Sequence, residues 1–136
     1  MSIDHHLDAA TIIAYTAGTL DEAFSVVAAS HLSWCPTCRE TARQAAQLGG
    51  ELLGRLEGAA VSQKCRAQTL SLIDTATLHR FPNSPPSRGE VPHPLARLLG
   101  GAALADLKWK RKAPGLALFD LPLSAASHGR LFLMRI

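Results

Sequence analysis

Apolar and polar positions in the first half of the chain follow a helical period, not a strand-like one. Asp8 precedes AATIIAYTA and Gly18 follows it, which predicts a first helix capped by Asp8 and ended by the glycine. Thr19 and Glu22 then form a T-x-x-E capping box ahead of AFSVVAASHLSW. Phe24, Val27, Ala28 and His31 recur at i, i+3, i+4 and i+7, the spacing of one helix face. Pro36 suits the first turn of a third helix, where its missing N–H leaves nothing unsatisfied. That helix runs on through TCRETARQAAQLGGELLGRLEG, with Gly49 and Gly50 weakening its middle. Ser62 caps a fourth helix, in which Ala67, Leu70, Ile73, Ala76 and Thr77 trace an apolar stripe.

The pattern breaks at residues 81–94, FPNSPPSRGEVPHP, where five prolines and a glycine exclude a continuous helix or a paired strand. Beyond this linker LARLLGG suggests a short helix. DLKWKRK, residues 106–112, alternates in the manner of a strand, with Leu107, Trp109 and Arg111 on one side and Lys108 and Lys110 on the other. LALFDLPL and RLFLMRI read as two further strands. The expected architecture is mainly α: a four-helix unit over residues 1–80, a Pro-rich linker over 81–94, and a short β segment over 95–136.

Composition narrows the class. An apolar share of 47% over 136 residues supports a folded core, and the seven aromatic residues are too few for a typical β-sandwich. The opening MSIDHHLD has neither a basic nor an apolar leader segment, and no run is long enough to span a membrane, so a cytoplasmic protein is expected. Thiols stay reduced in that compartment, so three cysteines point to metal or redox chemistry, not to a disulfide framework. Residues 1–62 carry seven acids against three bases, and the remainder carries four acids against eleven bases. An acidic first half is a poor partner for nucleic acid but a fitting one for a basic protein surface.

The chemistry concentrates in HLSWCPTCRE, residues 31–40. If residues 20–34 are helical, His31 and Cys35 lie one turn apart on one face, and Cys38 lies one turn into the next helix. Three ligands then meet at a helix–turn junction, and tetrahedral zinc needs a fourth. His5 and His6 precede the first helix, where the chain end can fold over the junction. Two thiolates with one Zn²⁺ form a nearly neutral cluster that tolerates burial. The competing reading, a dithiol enzyme using Cys35 and Cys38, needs a strand before the motif, and the sequence there is helix-forming.

Taken together, HHLDAATIIAYTAGTLDEAFSVVAASHLSWCPTC closely resembles the N-terminal domain of zinc-binding anti-sigma factors of the ChrR-like subgroup. Its H-x3-C-x2-C triplet, upstream histidine and Y-x-A-G-T-L segment carry the resemblance, which is strong over residues 1–48 and thinner to about residue 80. Carried over by position, the ligands are His6, His31, Cys35 and Cys38, with His5 a bystander. The resemblance implies one structural zinc in a helical bundle that sequesters an extracytoplasmic-function sigma factor, in a 1:1 complex serving a stress response. It implies no catalysis, no direct nucleic-acid contact, no membrane association and no small-molecule substrate.

That subgroup continues into a metal-binding cupin barrel, and residues 92–136 resemble the beginning of one. About 45 residues cannot close a barrel, and only His93 and His128 stand where cupin ligands would be sought. The stretch is expected to be either part of a longer chain or a natural shortening, with no second metal. Cys65 reads as a packed or partly exposed side chain on the fourth helix, and His79 as a residue at that helix's end. KWKRK, residues 108–112, invites a second alternative, a small zinc-stabilised DNA-binding regulator; basic residues on the solvated face of a strand explain it with less.

Overall fold

The computed structural model describes residues 3–76 and 91–136. Four helices come first: α1 (Ala9–Thr16), α2 (Glu22–Trp34), α3 (Pro36–Gly54) and α4 (Gln63–Thr75). A short α5 (His93–Leu98) and one 3₁₀ turn (Leu104–Asp106) lead to an antiparallel sheet of β1 (Lys110–Ala113), β2 (Leu116–Asp120) and β3 (Phe132–Arg135), in the order β1-β2-β3. Thr77, His79 and the linker up to residue 90 lie outside the described residues.

Helix α1 starts as predicted and ends at Thr16, with Ala17 as its C-cap, one residue short of the predicted run. Asp8 accepts from the Thr11 N–H at 2.9 Å, and Gly18, at φ +70°, takes the left-handed conformation that ends the turn. The start of α2 differs from the prediction. Its cap is Asp21, which accepts from the Ala23 N–H at 3.0 Å, and no Thr19–Glu22 box forms. Asp21 sits nearer the helix and its carboxylate is the stronger cap, so the Thr19 hydroxyl turns back to the Ala14 carbonyl instead. The buried line of α2 also differs. Ala28, Leu32 and Cys35 form it, at i, i+4 and i+7, whereas Phe24 and Val27 are 64% and 49% exposed.

Cys35 ends α2 and starts α3, and Pro36 takes the first turn as predicted. Gly49 and Gly50 are both helical, so α3 runs unbroken for 19 residues. Its first half packs against α1 and α2; its second half exposes Leu48, Leu52 and Leu53. Helix α4 is capped by Ser62, as read from sequence, and is exposed throughout. Among the described residues it touches no other element.

Two small cores result. Ile12, Leu32, Cys35 and Cys38 form the helical one, backed by Ile3, Leu7, Tyr15 and Ala42. Leu99, Ala117 and Leu121 are the buried residues of the C-terminal unit. Helix α5 begins at His93, because prolines are tolerated in a first turn, so the linker does not stay irregular as far as residue 94. DLKWKRK is likewise only partly strand: Asp106 closes the 3₁₀ turn and pairing starts at Lys110. Trp109 acts as an anchor there. Its indole N–H donates to the Leu104 carbonyl at 3.1 Å, its ring meets Phe119 edge-on, and the Arg135 guanidinium lies 5.0 Å from it.

Ser62→Ala should destabilise α4 by about 1 kcal/mol, the usual worth of an N-cap. Because α4 is unpacked, the change should appear as faster amide exchange within residues 65–75, with α1 to α3 unaffected; faster exchange in α1 would contradict the isolation of α4.

Candidate metal centre

The junction between α2 and α3 places four donors together. His31 lies in the last turn of α2, Cys35 is the shared cap, and Cys38 lies in the first turn of α3. The segment before α1 brings His6 over them. His6 Nδ1 is 3.2 Å from Cys35 Sγ and 3.6 Å from Cys38 Sγ, and His31 Nε2 is 3.3 Å from Cys38 Sγ. All four donor atoms lie within 4.8 Å of one another. Around one tetrahedral ion with bonds of about 2.0 Å to nitrogen and 2.3 Å to sulfur, each N···S distance would be about 3.5 Å. The cluster therefore fits a metal ion. His5 is exposed and takes no part in the cluster.

The thiols are poised differently. Burial acts on Cys35 most strongly and pushes its pKa up. Hydrogen bonds from the Cys38 N–H, the Cys38 thiol and the two imidazoles outweigh it together and bring Cys35 down to about 6. Cys35 Sγ is the N-cap acceptor of α3, at 3.4 Å from the Cys38 amide, where the helix dipole favours a thiolate. Cys38 is raised, chiefly by burial, against a lowering contribution from the Leu7 N–H. A pair with one thiol already inclined to ionise suits metal binding, since the metal replaces the remaining proton.

Two further groups were not read from sequence. Arg39 donates to the carbonyls of Leu32 and Ser33, at 2.9 and 3.2 Å, and so satisfies the open end of α2 next to the cysteines. An arginine four residues after a helix end is the local signal that could have found it. Asp21 and Glu22 accept hydrogen bonds from Ser124, Ser127 and His128, more than a hundred residues away, and no local pattern announces that contact. Cys65 is exposed on α4, more fully than the packed or partly exposed setting expected of it.

The fold is similar to that of a solved anti-sigma factor, ChrR. No protein-family model matches the chain. Anti-sigma-E factor ChrR from Cereibacter sphaeroides is 34% identical over 134 residues, covering 96% of this chain and 61% of that protein. The structure also matches the crystal structure of Rhodobacter sphaeroides SigE in complex with the anti-sigma ChrR, at TM-score 0.73 and 33% identity, covering 91% of this chain and 62% of that one. The resemblance read from residues 1–48 thus extends along almost the whole chain, although the chain spans about three fifths of these relatives' length.

Replacing Arg39 with leucine should lower unfolding stability by about 1 kcal/mol, through loss of the hydrogen bonds to the two α2 carbonyls. Urea unfolding of the purified protein checks this; an unchanged midpoint would show that water replaces the guanidinium without cost.

Proposed function

We propose that this chain is an anti-sigma factor that binds an extracytoplasmic-function sigma factor in a 1:1 complex and withholds it from transcription. The observation that carries this reading is the match, over 91% of the chain, to ChrR as solved with SigE. The surface supports it. Leu70, Leu72 and Ile73 on α4, with Leu48, Leu52, Leu53 and Leu56 on or just beyond α3, are all exposed. So much unpacked apolar surface in a small protein marks an interaction site. An acidic first half complements a partner whose working surface is basic.

In this reading His6, His31, Cys35 and Cys38 hold one structural zinc. The ion would supply a cross-link between the N-terminal segment, α2 and α3, and four protein ligands leave no position for a reacting water. His6 and the two cysteines hold their donors at the junction, and Arg39 keeps the end of α2 in place. The reading makes residues 1–80 the sigma-binding unit, 81–94 the linker, and 95–136 a partial cupin-like segment. A protein that withholds a sigma factor belongs in the cytoplasm, beside the polymerase.

The alternatives have less support. An exchange-active dithiol exposes its attacking thiolate, whereas Cys35 and Cys38 are 0% and 2% exposed and contact imidazoles. A nucleic-acid module would use Trp109 for stacking, and that ring already engages Phe119 and Arg135. The dithiol reading favours catalysis, and the present reading assigns none.

Co-purification from native cytoplasm under reducing conditions should recover a sigma factor near one-to-one with the zinc-loaded chain. Leu70→Asp and Ile73→Asp should each weaken that complex more than about tenfold, as hot-spot changes do. A chain that retains zinc but recovers no sigma factor would refute the partner assignment. Loss of a direct ligand should weaken zinc binding more than the roughly 10- to 100-fold seen for outer-shell changes. His6→Ala should therefore release zinc to a chelator readily and His5→Ala should not; equal behaviour of the two would refute the ligand set.

A further inference from the structure

Residues 124–129, between β2 and β3, lie against the opening turn of α2. The Ser124 N–H and hydroxyl both donate to Glu22 Oε2, at 2.8 and 2.5 Å. The Ser127 hydroxyl donates to Asp21 Oδ1 at 3.1 Å, and the His128 N–H donates to Asp21 Oδ2 at 2.9 Å. Asp21 is at the same time the N-cap of α2, accepting from Ala23, so one carboxylate serves both the helix and the loop. The seat is shaped for this loop. A Cβ at Gly129 would lie 2.8 Å from Asp21 Oδ1 and 2.9 Å from the Ala23 Cβ, closer than any side chain tolerates. Beside it α5 packs on α2.

The loop's own share of this contact is hydrogen bonds to half-buried carboxylates, while α5 supplies the neighbouring packing on α2, so the loop opens at a lower free energy than either core. Helix α2 then runs 13 residues without interruption, about 20 Å, from this contact to His31 and Cys35. A rigid helix held at one end is ordered at the other.

We infer that the 124–129 loop is a releasable clasp joining the C-terminal unit to α2, and that closing it orders the far end of α2, where His31 and Cys35 lie. The clasp gives an event in the C-terminal unit a physical route to the helical unit, through one continuous helix. This goes beyond the anti-sigma reading and stands without it, because the contacts involve neither the metal cluster nor the exposed faces of α3 and α4.

The test is amide hydrogen exchange on the whole 136-residue chain, comparing the unmodified protein with Gly129→Val. Opening the clasp should speed exchange at Ser124 and His128 at least tenfold while the β2–β3 ladder stays protected. The Cys35 amide, bonded to the His31 carbonyl at 2.9 Å, should exchange at least threefold faster. If the loop opens and Cys35 is unchanged, the coupling is overturned. If the loop amides stay protected in Gly129→Val, the clasp is overturned. Should valine disrupt the sheet, the pair Glu22→Gln with Ser124→Ala removes hydrogen bonds without crowding and is judged by the same amides. Zinc content measured on the same samples tests the metal reading separately, and the exchange comparison stands whichever way it falls.

Discussion

Two sulfur atoms stand where a small helical protein would place its largest hydrocarbon side chains. Among the described residues, Ile12 and Leu32 are the large buried aliphatics of the helical core cluster; Cys35 and Cys38 complete it. A buried aliphatic side chain contributes about 1.5–3 kcal/mol, and ordering one residue's backbone costs about 1–2 kcal/mol. Two such side chains cannot hold three helices and an N-terminal segment together. Cohesion at the His2Cys2 cluster therefore decides whether the unit has a fixed shape. The cluster also dictates the geometry around it: Cys35 closes one helix and opens the next, and His6 draws the leading segment across both.

A core that small can organise only what lies near it. The first half of α3 packs, and the second half projects with its leucines uncovered. Helix α4 is held by its own cap and propensity. At the other end of α2, the C-terminal unit has its own small core and a salt-bridged sheet in which Asp120 meets both Lys110 and Arg130. Exposed pairs of that kind add little stability, so they favour a strand register more than they hold the unit to its neighbour. The contact between the units is shared by α5, which packs on α2, and the polar loop that begins at Ser124.

Much of this was legible in the sequence where the determinant was local. Asp8, Ser62 and Pro36 announced helix starts because capping is settled within three or four residues. His31, Cys35 and Cys38 were legible as a set because helical spacing alone puts them on one face, and resemblance singled out His6 over His5. The reading failed where two local devices competed, as when Asp21 displaced the Thr19–Glu22 box. It failed again where burial depends on what packs nearby: the described residues leave Phe24 and Val27 largely uncovered, although their spacing is that of a core. The Asp21 and Glu22 contacts with residues 124–128 were out of reach, since no periodicity spans a hundred residues.

The isolation of α4 bears on how such a protein can change over generations. Among the described residues Leu70, Leu72 and Ile73 belong to no core, so their replacement should leave the stability of the other described elements untouched. Most proteins must balance recognition against folding at shared positions. If the proposed partner binds the exposed face of α4, the two are carried by different residues, and a duplicated gene could acquire a new partner through substitutions in one helix while the His2Cys2 junction stayed as inherited.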